Sequence, residues 1–162
     1  MRISRRMGIY SGGSLKTFSV NYSNLETYMN LSNTATKGPF FNGSYVIGYI
    51  SGNWYWIRFT ITPSDRVKNM RVVLSNMGAS YGSGFSNTPF YIGFSPSDTY
   101  PNNVSDVATT THSSASSTLA WDISNLNLVG GVTYYVYCWG GTNAIYGGYQ
   151  SASPTITITA NP

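Results

Sequence analysis

Short runs in which apolar and polar residues alternate recur along the whole chain, and Gly, Pro, Asn or Ser separates one run from the next. An alternation with a period of two is typical of β-strands that bury one face, and the intervening residues are those that form turns. The chain contains a single Glu, whereas helices are built largely from Ala, Leu, Glu and Lys. The pattern therefore predicts an all-β fold, a single antiparallel β-sandwich or jelly roll of about eight strands. We predict these strands at Leu15–Asn21, Ser44–Ile50, Trp54–Thr62, Met70–Asn76, Pro89–Ser95, Thr118–Ser124, Thr133–Trp139 and Pro154–Ala160.

Two segments depart from this pattern. Leu25–Leu31 has a weakly helical spacing of apolar residues, and Pro39 with Asn42-Gly43 predicts a loop after it. Residues 95–117 are rich in Ser, Thr, Asn, Asp and Pro and contain few large apolar residues. We predict an exposed or loosely packed loop there, and such loops on a rigid sandwich are common places for binding.

Basic residues are concentrated at the start of the chain. Three of the nine Lys and Arg residues are Arg2, Arg5 and Arg6, so the rest of the chain is nearly neutral. We predict an N-terminal basic arm over residues 1–13 and a β-sandwich domain over residues 14–162. The arm could contact phosphates or an acidic neighbour, or it could be a solvated or expression-related terminus. Elsewhere we expect no nucleic-acid partner.

Signals for export and for membrane insertion are not visible in the sequence. The basic start is not followed by the apolar region of a signal peptide, and no stretch approaches the roughly 20 apolar residues of a membrane span. Cys138 is the only cysteine, so we expect a small core residue and no intrachain disulfide. Only 9% of the residues are charged, so the surface must be built from Ser, Thr, Asn, Gly and Tyr. This combination predicts a virion protein made in the host cytoplasm, with no membrane partner.

Side chains for acid–base or metal chemistry are scarce. Carboxylates and imidazole come only from Glu26, Asp65, Asp98, Asp106, Asp122 and His112. They follow no recognised catalytic spacing, so we predict no enzymatic activity, no catalytic residue and no cofactor. Within the predicted loop, Asp98, Asn102, Asn103 and Asp106 could offer oxygen ligands to Ca²⁺, but Asx residues equally serve turns. We favour the turns and predict no metal site.

The alternation also assigns the two faces of the strands. Arg58 marks one face of its strand as outward, and small or polar residues mark the outward faces of the others. The residues predicted to point into the core are Tyr55, Ile57, Phe59, Ile61, Phe90, Ile92, Phe94, Leu119, Trp121, Ile123, Tyr134, Val136 and Cys138.

Aromatic residues are unusually frequent on the outward faces of two strands. The binding or interface residues that we predict are Trp54, Trp56, Arg58, Tyr135, Tyr137 and Trp139. Contiguous exposed apolar patches usually mark an interaction surface. Three interpretations stay open: the rings bury against a neighbouring subunit, they stack on sugar rings beside Arg58, or they are covered by the chain's own loops or N-terminal segment.

One segment, residues 125–139 (NLNLVGGVTYYVYCW), resembles the corner between the fifth and sixth strands of fibronectin type III and related sandwiches. Leu128, Gly131 and Tyr134 match the spacing of a tyrosine corner in that family. The resemblance implies a structural role, in which the Tyr134 hydroxyl bonds to the backbone a few residues upstream.

In its overall composition, rich in Gly, Ser, Asn and Tyr, the sequence resembles the β-sandwich domains of bacteriophage minor structural and tail proteins. The resemblance implies a non-enzymatic component of a bacteriophage virion, from the tail, a fibre or a head decoration. Its partners would be other virion proteins and further copies of itself, held through the aromatic sheet faces. The alternative is a carbohydrate-binding module that recognises a host glycan.

Overall fold

The computed structural model describes residues 17–31, 34–38, 45–75, 77–81, 88–98, 108–112, 118–140, 144–147 and 154–162. All regular structure in these residues is β, and none of it is helical. The strands are β1 (Phe18–Ser19), β2 (Tyr22–Leu31), β3 (Thr34–Lys37), β4 (Tyr45–Ile50), β5 (Asn53–Ile61), β6 (Asn69–Ser75), β7 (Met77–Tyr81), β8 (Thr88–Ser95), β9 (Ala108–His112), β10 (Thr118–Ile123), β11 (Tyr134–Gly140), β12 (Ala144–Gly147) and β13 (Thr155–Asn161). The predicted arm with Arg2, Arg5 and Arg6 lies outside the described residues.

The strands form two antiparallel sheets that pack against each other, so the predicted β-sandwich is confirmed. The small sheet has the order β1, β13, β6, β10, and the large sheet contains the other nine strands. Each of the eight predicted strands corresponds to a strand of the structure, and the additional strands are β2, β3, β7, β9 and β12. Within the described ranges, no helix is long and apolar enough to cross a membrane.

Strand β5 organises the large sheet because it pairs with three neighbours. It pairs with β11 over Trp56–Ile61 and with β2 over the same stretch, so these two strands lie on its opposite edges. The first three residues of β5 pair with β4, and β2 also pairs with two of them, Trp54 and Tyr55. Strands β4 and β11 therefore lie one after the other along the same edge of β5, and β2 lies along the opposite edge. The outer face of β5 therefore lies in the middle of a broad surface.

The hydrophobic core lies between the two sheets. All the residues predicted to point inward are buried except Phe94, which is partly buried and packs against the same core. Trp121 on β10 spans the interior: its ring is 1% exposed, and its Nε1–H donates a 3.0 Å hydrogen bond to the carbonyl of Phe90 on β8. One side chain of the small sheet is thus bonded to the backbone of the large sheet. Burial also raises the pKa of the Cys138 thiol above its usual range.

Ser51-Gly52-Asn53, between the second and third predicted strands, indicates a short hairpin connection, and this hairpin is present between β4 and β5. Ile50 and Asn53 are paired, and Ser51 and Gly52 form a two-residue loop between them with φ of +48° and +89°. Positive φ at both central residues is characteristic of a type I′ turn, which suits the twist of a two-residue hairpin. The sequence signal was therefore sufficient to locate this turn.

The helix-like interpretation of Leu25–Leu31 is wrong, because this segment belongs to strand β2. Leu25, Tyr28 and Met29 mimic a helical spacing because the strand contains an irregularity. Asn24 has a φ of +57°, and the register with β5 shifts between Ser23 and Glu26, which disturbs the simple alternation. Pairing with β3 and β5 outweighs the weak local preference.

The predicted loop over residues 95–117 is also partly wrong, because it contains strand β9. Ala108–His112 pairs with β8 through residues that are mostly Thr, so there is no apolar alternation to reveal it. Among the described strands, β9 is the edge strand of the large sheet beyond β8.

Tyr134 closes the corner that leads into β11. Its hydroxyl accepts a 2.9 Å hydrogen bond from the backbone N–H of Val129, which is the upstream bond expected of this residue. Leu128 is buried and exchanges backbone hydrogen bonds with Val67. Gly131 adopts a φ of +77° and donates its N–H to the carbonyl of Pro63 at 2.8 Å. The three predicted corner residues therefore tie β11 to the segment that follows β5.

We expect Tyr134→Phe to lower the free energy of unfolding by about 1–2 kcal/mol, because the Val129 N–H loses its acceptor while the ring stays in place. Chemical denaturation measures the change. Tyr135→Phe is the matched control, since its ring lies on the opposite face, and a change of less than about 0.5 kcal/mol is expected there. A loss of less than about 0.5 kcal/mol for Tyr134→Phe as well would contradict a stabilising role for the corner bond.

Candidate functional site

The outer face of the large sheet carries a row of aromatic side chains that crosses four strands. Tyr28 of β2 pairs with Trp56 of β5, Trp56 pairs with Trp139 of β11, and Trp139 pairs with Tyr91 of β8. Directly paired residues of neighbouring strands point to the same side of a sheet and lie within contact distance. We call these four residues the aromatic row.

The rings of the aromatic row are stacked in two pairs. Tyr28 and Trp56 have centroids 5.9 Å apart and planes at 10°, and Tyr91 and Trp139 have centroids 5.6 Å apart and planes at 22°. Trp56 is only 7% exposed as a result. Because stacked rings cover each other's faces, this row presents ring edges more than open ring faces.

A polar row runs beside the aromatic row, displaced from it by two residues on each of three strands. Glu26, Arg58 and Tyr137 are paired across β2, β5 and β11. One terminal nitrogen of Arg58 donates to Glu26 at 2.5 Å, and the other donates to Asp98, which follows β8. The guanidinium also lies over the rings of Tyr28 and Tyr135, with 4.9 Å and 5.3 Å to their centroids. Arg58 is therefore held from four sides.

Both carboxylates that bond Arg58 are held in the charged state. Burial raises the pKa of Glu26, but hydrogen bonds from Lys37, Tyr28 and Arg58 outweigh it and lower the pKa to about 2. The hydrogen bond from Arg58 lowers the pKa of Asp98 as well, against a smaller effect of burial. Catalytic general acids need the opposite shift. The arrangement is thus suited to fixing structure and charge rather than to exchanging protons.

The phenols of Tyr28 and Tyr137, which donate to these carboxylates, are correspondingly hard to ionise. Burial and a 2.6 Å hydrogen bond to Glu26 raise the pKa of Tyr28 to about 12. Burial and a 2.9 Å hydrogen bond to Asp98 raise the pKa of Tyr137 beyond its usual range. Both hydroxyls therefore remain donors at any physiological pH.

No group of three His, Cys, Asp or Glu side chains that could hold a metal ion occurs in the described part of the chain. Of the four residues considered for calcium, only Asp98 is described, and it bonds to Arg58 and Tyr137. Asn102, Asn103 and Asp106 lie outside the described residues.

An exposed aromatic pair stands at the end of this surface, on the β4–β5 hairpin. Trp54 is 45% exposed and Tyr49 is 38% exposed. The two residues are paired in the hairpin, with ring centroids 4.9 Å apart and planes tilted by 53°. These are the most exposed aromatic rings for which burial is described.

The structure separates the six predicted interface residues into three groups. Trp54 is exposed, whereas Arg58, Tyr135 and Trp139 are partly buried. Trp56 and Tyr137 point outward but are buried, at 7% and 2% exposure, beneath neighbouring side chains of the same chain. These two side chains are therefore covered within the chain itself.

Other residues of the surface were not identified from the sequence. The missed members are Glu26, Tyr28, Lys37, Tyr49, Tyr91 and Asp98. Tyr49 and Tyr91 do alternate with inward residues of their strands, so a face assignment over β4 and β8 could have found them. Glu26 and Tyr28 lie in the segment with the misleading helical pattern.

No protein-family model matches this chain, and no curated protein has a significantly similar sequence.

Proposed function

We propose that this chain is a non-enzymatic structural component of a bacteriophage virion, which assembles with other virion proteins through the outer face of its large sheet. The observation that carries the proposal is the exposed Trp54–Tyr49 pair beside a surface fixed by stacked rings and the Arg58 bonds. Trp, Tyr and Arg are the residues that most often anchor protein interfaces. A surface that is already ordered loses little side-chain freedom on binding.

The dimensions of this face suit a protein partner. Strands β3, β2, β5, β11 and β8 lie side by side, and five strands at about 4.8 Å spacing span about 24 Å. Along the strands, four outward positions at about 6.7 Å spacing give a similar length, so the face covers about 600 Å². The hairpin tip extends it toward the ~800 Å² per partner of a standard interface.

Ring geometry favours a protein partner over a sugar. A sugar ring stacks on the open face of an aromatic ring, and the stacked rings of the aromatic row offer few such faces. A protein surface can bury ring edges, partly exposed hydroxyls and the rim of the sheet together. Trp54 is the ring that supports the alternative of a carbohydrate-binding module, because nearly half of it is exposed.

The assignment to a virion is supported by the composition. Only 9% of the residues are charged, and Thr makes up the exposed face of strand β13. This composition resembles that of bacteriophage structural β-sandwich domains. Mass spectrometry of purified particles, produced from the genome that encodes the chain, tests the assignment directly, and absence from the particles would overturn it.

We expect Trp54→Ala to weaken binding of the chain to its virion partner by at least about 30-fold, the effect of losing an interface anchor of 2 kcal/mol or more. Titration calorimetry with particle proteins, or with the chain itself, measures the loss. The melting temperature should stay nearly unchanged because the ring is exposed.

Val129→Ala is the matched control, since Val129 is an even more exposed apolar residue at the Tyr134 corner, and it should leave binding intact. A glycan array provides the contrasting result. Glycan binding by the wild type that Trp54→Ala abolishes, without any affinity for virion proteins, would replace the proposal with the carbohydrate-binding alternative.

A further inference from the structure

Four charged side chains alternate in sign across the outer face of the large sheet. In order across the strands they are Lys37 on β3, Glu26 on β2, Arg58 on β5 and Asp98. Asp98 reaches over the sheet to bond both Arg58 and the Tyr137 hydroxyl of β11. We call this arrangement the charge chain.

The two ends of the charge chain differ from its middle in exposure. The inner side chains, Glu26 and Arg58, are 16% and 14% exposed and have partners on both sides. The end side chains, Lys37 and Asp98, are 58% and 55% exposed, and each forms an ion pair with one other member of the charge chain. The face is therefore neutral overall, but it presents a positive charge at one end and a negative charge at the other.

Such a face is complementary to itself under two-fold rotation. A two-fold axis that lies in the interface, parallel to the strands, reverses the order of the charge chain in the second copy. Lys37 of each copy then lies over Asp98 of the other, so the contact forms twice. Closed two-fold contacts of this kind are the commonest assembly in soluble proteins.

We propose that the partner on this face is a second copy of the chain, packed face to face with Lys37 of each copy against Asp98 of the other. This inference rests on the proposed function, because it names the occupant of the same surface. A uniformly acidic or basic partner would leave one end of the charge chain facing a like charge, which costs affinity.

The position of the aromatic pair supports the same occupant. The centre of the charge chain falls between Glu26 and Arg58, so the axis runs between β2 and β5. Trp54 lies at the start of β5 and is therefore close to the axis, where the two copies of its ring meet. About this axis the strands β3, β2, β5 and β11 of the two copies overlap, so each copy contributes about 500 Å² and the two bury about 1,000 Å² together, which is close to the minimum for a specific interface.

Analytical ultracentrifugation of the full chain tests this dimer. We expect a concentration-dependent dimer whose dissociation constant rises with salt, because exposed charges are screened. Lys37→Glu should raise the dissociation constant by about 100-fold or more, since it places like charges together at both ends of the interface. Lys68→Glu makes the same change in net charge at an exposed position beside the small sheet, and it should have no effect.

Lys37→Glu also removes a partner of Glu26, so disulfide cross-linking provides a second test of the face-to-face geometry. The variants Lys37→Cys and Ser97→Cys are prepared separately, and Cys138 does not interfere because it is buried. We expect cross-linking in the mixture of the two variants and not in either variant alone. Two copies of position 37 lie at opposite ends of the dimer, beyond the ~7 Å Cα separation that a disulfide tolerates.

The outcomes separate this inference from the proposed function. A wild type that stays monomeric at all concentrations, yet binds another virion protein through Trp54, overturns the dimer and leaves the proposed function standing. A dimer that Lys37→Glu does not weaken, or in which each cysteine variant cross-links with itself, also overturns the face-to-face geometry. A monomer without any virion partner overturns both.

Discussion

Trp121→Ala is expected to lower the free energy of unfolding by about 3–5 kcal/mol, the range observed when a large buried aromatic side chain is truncated. Trp121 is the largest side chain of the fully buried core, and its Nε1–H bonds the carbonyl of Phe90 on the opposite sheet. The substitution leaves a cavity between the two sheets and removes this bond. At about 2–4 °C per kcal/mol for a chain of this size, the melting temperature should fall by about 6–20 °C.

Trp121→Phe is the control that separates the cavity from the hydrogen bond. It retains much of the ring but loses the indole N–H, so the expected loss is smaller than that of Trp121→Ala. Differential scanning calorimetry of both variants measures the two effects. If Trp121→Ala melted within 2–3 °C of the wild type, a loss of about 1 kcal/mol, the packing of β10 against β8 would be incorrect.

Arg58→Ala is expected to lower the free energy of unfolding by about 2–3 kcal/mol at neutral pH. Removal of the guanidinium leaves Glu26 largely buried with only Lys37 and Tyr28 as partners. The expected loss is below the 3–5 kcal/mol typical of a broken, fully buried ion pair, because the exposed Asp98 carboxylate can be hydrated by solvent instead.

The pH dependence identifies the origin of this loss. The pKa of Glu26 is about 2 in the folded chain, below its ordinary value of 4.5, so its charged form contributes stability above pH 4.5 and loses it toward pH 2. Without Arg58 this pKa rises toward its ordinary value. The stability difference between wild type and variant should therefore be full above pH 4.5 and shrink as the pH falls to 2.

Arg71→Ala is the matched control for Arg58→Ala. Arg71 also bonds a carboxylate, that of Asp122, but this pair lies exposed on the small sheet. Exposed pairs contribute about 0–1 kcal/mol, so urea denaturation should show little change for this variant. Equal losses for the two arginines would contradict a special structural role for Arg58.

The inward faces of the strands could be predicted because their signal is local. Ile57, Phe59 and Ile61 alternate with polar or outward residues, and burial of every second side chain is a property of the strand itself. The β4–β5 hairpin and the Tyr134 corner were also encoded over short spans, by a two-residue turn and by a six-residue spacing.

The outer surface could be predicted only in part. Arg58 was assigned as outward, but its partners Glu26 and Asp98 lie 32 and 40 residues away in sequence. The burial of Trp56 depends on Tyr28 of β2, a strand whose internal irregularity hides its alternation. No local pattern contains these relationships.

The all-β class, the inward faces and the turns could therefore be predicted, because each depends on residues that are close in the chain. Which outward rings are covered and which are open depends on the fold, because the register between distant strands sets which side chains are neighbours. That register stacks Tyr28 on Trp56, leaves Trp54 exposed beside Tyr49, and orders Lys37, Glu26, Arg58 and Asp98 into alternating charges. The alternation of signs across the sheet is a consequence of strand pairing, and it appears nowhere in the order of residues along the chain.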